Sequence, residues 1–269
     1  MADLKDSGTR PGPAGRFTGR RFVVTGGSRG LGEHIVRLLL SEGARVAACG
    51  RRAESLEALR NSVDSPKALF AHALDVTVPE RLEQFIDQAA LELGGLDGAV
   101  ACAGGARGHG ITDATAQDWL ETWQLNAGHF ARLTAASVPH LRTAGGGSIV
   151  VVSSISGWKP GPQAQYGAAK AAQLHMVASL ARELGGGGVR VNAVSPGSML
   201  IPGKRWDRMR REEPAAFQRF SEEFPGGELV QPAEVADVVA FLLSDESRGV
   251  TGVNIPVDKG QNAPTPDGY

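Results

Sequence analysis

Two cysteines in 269 residues, Cys49 and Cys102, are too few for a disulfide scaffold, and both fall in apolar, strand-like stretches where a small buried thiol is the default. They suit a reducing compartment. Nowhere do 18 or more apolar residues follow one another, which argues against a membrane-spanning helix. Charge of one sign is missing too. With 28 Lys and Arg against 29 Asp and Glu the net charge is −1, so nothing electrostatic calls for nucleic acid or an anionic membrane as partner. The six histidines are dispersed without zinc-ligand spacing, and no metal is expected. Residues 1–20 lack the apolar core of a signal peptide and are rich in Gly, Pro and charge. They read as a mobile extension, with the cytoplasm as the expected location. No Pro- or Ser-rich linker and no internal repeat divides the remainder, so residues 21–269 are expected to form one domain with a substantial core.

What is present is alternation. Apolar runs of strand length begin at Phe22, Arg45, Ala68, Gly98, Ser148, Arg190 and Asn254, and longer segments of helical periodicity fill the gaps. Strands that are apolar throughout, separated by helices, predict an α/β fold: a doubly wound parallel sheet of about seven strands covered on both faces. Two helical stretches are long, Thr115 to Leu141 and Gln163 to Leu184. Residues 196–227 break the rhythm. They open on Pro196-Gly197 and continue as a charged, aromatic, helix-like segment, which reads either as a helical lid over a substrate or as surface helices packing their aromatics on the core.

Three motifs carry chemistry. The first strand runs into Thr25-Gly26-Gly27-Ser28-Arg29-Gly30-Leu31-Gly32 and then into a helix. Glycines there permit a tight turn and close backbone approach, and the helix N-terminus offers N–H groups to a pyrophosphate. Further on, Tyr166 and Lys170 stand four residues apart, on one face of a helix. A phenol has an unperturbed pKa near ~10, and a neighbouring ammonium is expected to lower it, making proton transfer to or from a substrate oxygen feasible. A strand-like segment ending in Ser153-Ser154 lies just upstream and places a hydroxyl where such folds bind ligands.

Taken together, these motifs resemble the short-chain dehydrogenase/reductase family, in particular its 3-oxoacyl-carrier-protein reductase-like ketoreductases, over about residues 20 to 260. Asp75-Val76, Ala103-Gly104, Asn126, Ser154, Tyr166, Lys170 and Pro196-Gly197 occur in the family's order. The resemblance implies a Rossmann-like domain and a catalytic set of Asn126, Ser154, Tyr166 and Lys170. Ser154 is preferred over Ser153 because Gly157 follows it by three residues. It would hold the substrate oxygen while Tyr166 moves the proton. Lys170 would also bind the nicotinamide ribose, and Asn126 would hold a water that links Lys170 to solvent. A homodimer or homotetramer through the two long helices is implied as well.

The family's cofactor would lie on Gly26, Ser28, Arg29, Gly30, Leu31, Gly32, Arg51, Asp75, Val76, Ala103, Gly104, Tyr166, Lys170, Pro196 and Gly197. After the second strand the sequence is Cys49-Gly50-Arg51-Arg52, without the acid that bonds a ribose 2′-hydroxyl. Arg51 and Arg29 look like the family's two basic positions for a 2′-phosphate, so the expected cofactor is NADP(H). Asp75 would bond the adenine. The substrate is expected to be a small ketone or alcohol near Trp158, Met199, Trp206 and Phe217, with a 3-oxoacyl thioester, a polyketide-like cyclic ketone and a steroid-like ketone all open. Three positions depart from the family pattern, and the first two, Ala101-Cys102 and Ile201, motivate a second reading, a catalytically silent NADP(H)-binding regulatory or scaffold protein. Ala101-Cys102 stands for the family's Asn-Asn, Ile201 for a common threonine, and Lys259 for a glycine.

Overall fold

A computed structural model describes residues 15–262. Seven strands, β1 (Arg21–Thr25), β2 (Arg45–Gly50), β3 (Leu69–Ala73), β4 (Gly98–Ala101), β5 (Gly147–Val152), β6 (Val189–Pro196) and β7 (Asn254–Val257), form one parallel sheet in the order β3-β2-β1-β4-β5-β6-β7. Side chains alternate across it. Val24, Val46, Ala48, Val150 and Val194 face one core, shared with α1 (Gly30–Ser41) and α9 (Pro232–Leu243). Val23, Ala47, Ala99, Ile149 and Val191 face the other, shared with α3 (Pro79–Leu93), α5 (His129–Thr143) and α6 (Ala164–Leu184). Because both faces are buried, the strands read as continuous apolar runs.

The remaining helices are α2 (Ala53–Asn61), α4 (Ala116–Trp123), α7 (Arg205–Glu212) and α8 (Pro214–Ser221). Strand order reverses between β1 and β4, both of which pair in parallel register at Val24↔Val100. A sheet wound this way opens a crevice at the carboxyl ends of its strands, where the loops after β1 and β4 turn to opposite sides.

Three features differ from the expectation. The helix expected from Thr115 to Leu141 is α4, a π-helical turn at Gln124–Gly128, and α5. The wider turn redirects the Asn126 side chain, whose amide donates to Gly105 O (2.7 Å) and Thr122 O (2.7 Å). β4 ends at Ala101, so Cys102 and Ala103 leave the sheet and face the crevice. Residues 15–20, expected within the mobile extension, are seated on the domain, while residues 1–14 lie outside the described residues. Phe17 is 1% exposed and packs edge-on against Phe22, with ring centroids 5.1 Å apart. Arg16 clamps the buried Glu42 with two bonds of 2.6 and 2.8 Å. Phe17→Ala is expected to lower unfolding free energy by about 3–5 kcal/mol in urea denaturation. A loss below about 0.5 kcal/mol, typical of surface positions, would show that this seat contributes little.

Candidate active site

The crevice is a cleft of about 850 Å³. At its start the Gly-rich turn is forced by packing. Gly26 has φ +69°, and a Cβ there would come within 2.9 Å of the Ala103 backbone; a Cβ on Gly32 would sit 2.1 Å from Gly26 O. The turn therefore closes against the loop after β4 only as glycine. Arg29, which precedes α1, caps it with no side-chain bond, so the first-turn N–H groups remain available to an anion. Gly26, Ser28, Arg29, Gly30, Leu31 and Gly32 all line the cleft.

Around this turn the other expected cofactor positions converge: Arg51 after β2, Asp75 and Val76 after β3, Ala103 and Gly104 after β4, Pro196 and Gly197 after β6. Burial works against ionisation of Asp75, but the Thr77 N–H (2.9 Å) and hydroxyl (2.8 Å), with Arg51 and Arg107 nearby, hold its carboxyl below the usual range. Lys204, from the segment before α7, also lines the cleft. Partial burial, then Arg29, Arg52 and Arg208, push its ammonium below its usual pKa. Among the described residues, Arg29, Arg51, Arg52 and Lys204 form no ion pair with a carboxylate. Three cations on the cleft, Arg29, Arg51 and Lys204, with the acid Asp75 near Arg51 but no ion pair formed, suit a polyanion. Glycine turn, uncapped helix and cations together fit a dinucleotide with phosphates.

At the far end of the cleft lie Ser154, Tyr166 and Lys170. Ser154 follows β5 and accepts from Ser156 N at 3.1 Å. Its side chain lies beside Tyr166, close enough to act on the phenol pKa. The Ser153 hydroxyl donates to Lys170 O at 3.1 Å. Both serines line the cleft, but the Ser153 hydroxyl is engaged by Lys170 O while Ser154 lies beside Tyr166. Lys170 is 2% exposed; its Nζ donates to Val152 O (2.9 Å) and to Gln173 Oε1 (3.1 Å) and lies 5.6 Å from the Tyr166 ring centroid.

The expected lowering of the phenol pKa is reversed. Burial raises Tyr166 above 10, with Ser154 working in the opposite direction. The ammonium sits over the ring face and spends its bonds on Val152 and Gln173, so the phenol oxygen gains little from it. Burial pushes Lys170 itself down to about 8. Asn126 is fully buried and does not line the cleft; its side chain fixes the loop after β4 through Gly105, and its backbone oxygen accepts from Gln173 Nε2 at 3.1 Å.

Of the four expected substrate contacts, only Met199 lines the cleft. Trp206 and Phe217 instead pack toward the core on the α1 and α9 side, where Trp206 stacks on Phe220 (3.7 Å, 4°) and Phe220 meets the buried Phe224 edge-on. Trp158 is 38% exposed and outside the cleft. The aromatics of residues 196–227 thus pack on one another and the core, and the part that reaches the cleft is Pro196, Gly197, Met199, Ile201 and Lys204.

Sequence reasoning missed two groups. His129, 1% exposed, bonds Thr25 Oγ1 at 2.8 Å through Nε2, and Thr25 Oγ1 also accepts from Cys102 N at 3.2 Å. This pair anchors the loop after β4 where Ala101-Cys102 has no side-chain amides. Burial drives His129 down to about 3, so the ring is neutral. Gln173 was missed as well, although its place three residues after Lys170 puts it on the same helix face.

Comparisons with known proteins agree with this geometry. A family model described as enoyl-(acyl carrier protein) reductase matches residues 26–262. The isoepoxydon dehydrogenase of Aspergillus clavatus is 34% identical over 248 residues, 90% of this chain and 94% of the relative. The 3-oxoacyl-[acyl-carrier-protein] reductase of Thermotoga maritima is 32% identical, over 91% of this chain and 98% of its own. A solved 7α-hydroxysteroid dehydrogenase, in complex with NADH and 7-oxoglycochenodeoxycholic acid, superposes with a TM-score of 0.84 at 27% identity, covering 91% of this chain and 95% of that one. With motifs, sheet order and relatives in agreement over nine-tenths of its length, the chain belongs to the short-chain dehydrogenase/reductase family of nicotinamide-dependent oxidoreductases.

Proposed function

We propose that this oxidoreductase reduces a ketone to a secondary alcohol with NADPH, or runs that reaction in reverse. The observation that carries the reading is that Ser154, Tyr166 and Lys170 line one cleft together with the Gly-rich turn and the cations Arg29, Arg51 and Lys204. NADPH, when bound, supplies the hydride. Ser154 and Tyr166 receive the substrate oxygen as negative charge builds on it, Ser154 by hydrogen bonding and Tyr166 by giving up its proton. A phenol whose pKa is raised keeps that proton at neutral pH and is ready to donate it. Alcohol oxidation needs the phenol deprotonated first, so the oxidative direction is favoured at higher pH.

The fold does not choose between NADH and NADPH, since the hydroxysteroid dehydrogenase of the same fold carries NADH. The side chains after β2 favour NADPH: Arg51 and Arg52 stand where an NAD site needs an acid, and Arg29 adds a third guanidinium. Lys204 extends the cationic wall from the segment after β6. Residues 198–204 are read as the part of the expected lid that closes on the cleft, supported from behind by α7 and α8. Among the described residues no helix is long and apolar enough to cross a membrane. A cytoplasmic homodimer or homotetramer is proposed, with the exposed Leu120 and Trp123 of α4 as apolar surface for it.

Met199 lines the cleft and suits an apolar ketone, whereas Ile201, also on its wall, lies by Gly30 of the Gly-rich turn. The relatives named for isoepoxydon, 3-oxoacyl and hydroxysteroid substrates widen the panel to cyclic, acyl and steroid ketones. Purified protein incubated with such a panel is expected to consume NADPH and release the matching alcohol with at least one of them. Cofactor binding without consumption for every class favours the silent, cofactor-binding reading.

A further inference from the structure

We infer that Gln173 is a positioning residue for Lys170, its amide holding the ammonium from one side and the Asn126 backbone from the other. The inference rests on the catalytic reading above and names a residue that reading does not use. Gln173 lies on α6 three residues after Lys170 and is 0% exposed. Its Oε1 accepts from Lys170 Nζ (3.1 Å) and its Nε2 donates to Asn126 O (3.1 Å), in the π-helical turn between α4 and α5. One side chain therefore ties the helix that carries Tyr166 and Lys170 to the turn that carries Asn126 and, through it, the loop after β4.

Packing alone does not call for glutamine there. A buried amide costs free energy unless both ends are bonded, and methionine or leucine would fill similar space without that cost. Here both ends are bonded, and the partners are two members of the candidate catalytic set. Among the described residues the ammonium has no carboxylate counter-ion. The titratable groups that face it are the Cys102 thiol from the loop after β4, the His129 ring from α5 and the Tyr166 phenol from its own helix. Burial holds Cys102 up at about 12 and His129 down at about 3, so both are neutral near pH 7, as is the phenol. The charge of Lys170 is thus stabilised by two neutral oxygens, Val152 O and Gln173 Oε1. Removing one of them weakens the protonated form and lowers the pH at which the charge is lost.

This gives a test in which a structural and a positioning role differ in sign. Ketone reduction requires the Lys170 charge and falls as pH rises through its pKa. Gln173→Met keeps the volume and removes the acceptor; it is expected to move the alkaline limb of kcat/KM down by about one pH unit, the size of one hydrogen bond to a charged group. Gln173→Glu places a carboxylate at the ammonium and is expected to move the limb up. The same midpoints are read without turnover from nitrogen-15 NMR of Lys170 Nζ in the protein alone, with Lys170→Arg to assign the signal. Midpoints that shift in opposite directions in the two variants support the inference, even where no tested ketone is reduced and the catalytic reading itself fails. Midpoints and limbs that stay at the wild-type pH in folded variants, with only stability reduced, overturn it. If Gln173→Met does not fold, the direction of the Glu variant's shift decides.

Discussion

Replacing Tyr166 with phenylalanine is expected to cut ketone turnover by a factor of about 10²–10⁴, the usual contribution of a positioned general acid, while the dissociation constant for NADPH stays near the wild-type value. The change removes one oxygen and leaves the ring under Lys170, whose ammonium is held by Val152 O and Gln173 Oε1 and not by the phenol. Cofactor contacts on Lys170 should therefore survive. What is lost is the phenol proton beside Ser154 on the cleft. The two effects separate in steady-state kinetics and in a fluorescence titration of NADPH. Turnover close to wild type would remove Tyr166 from the reaction. A large loss of NADPH affinity would mean that the phenol supports the site in ways other than proton transfer.

Arg29→Ala combined with Arg51→Ala is expected to weaken NADPH by about 1.5–3 kcal/mol per lost charge-assisted contact, roughly tenfold or more each, and NADH far less. The two guanidiniums come from different elements, the turn after β1 and the end of β2, and among the described residues neither forms an ion pair, although Arg51 lies near Asp75. Removing them breaks no ion pair among the described residues, and the comparison of the two cofactors cancels the change that both share at Asp75 beside Arg51. Lys204 approaches from the opposite wall and is crowded by Arg29, Arg52 and Arg208, so some attraction for phosphate persists in the double variant. Equal losses for both cofactors would show that these arginines do not read the 2′-phosphate.

The sheet was legible because burial on both faces leaves a strong signature. Runs such as Phe22-Val23-Val24 and Ile149-Val150-Val151-Val152 contain no polar residue to suggest an exposed face. Tyr166 and Lys170 were legible because helical geometry fixes what four residues of spacing means. The pKa direction was not legible, since it depends on where Lys170 Nζ finds acceptors, and one of those, Val152 O, belongs to another element.

The remaining misses share that cause. Phe17 sits among Gly, Pro and charge, and nothing local shows that Phe22 and the end of α1 leave a seat for its ring. Trp206 and Phe217 were assigned to the pocket as aromatics on a polar segment, but Phe220 arrives from the same segment to stack on Trp206, with Phe224 edge-on against Phe220. The π-helical turn has no marker in Gln124-Leu125-Asn126-Ala127-Gly128 beyond its asparagine. His129 compensates for Ala101-Cys102 only because α5 passes beneath the loop after β4, a relation between residues that are distant in sequence.

The central claim is that Tyr166 and Ser154 serve a hydride transfer between a nicotinamide and a carbonyl carbon. The most direct measurement follows the hydride itself: NADPH deuterated at C4 of the nicotinamide, in separate preparations for each face, is incubated with a ketone the protein accepts, and the product is examined by mass spectrometry and NMR. The account predicts deuterium on the carbinol carbon from one face only, at a rate that collapses in Tyr166→Phe. Alcohol formed without label at that carbon, or labelled equally well by the Phe variant, would contradict it.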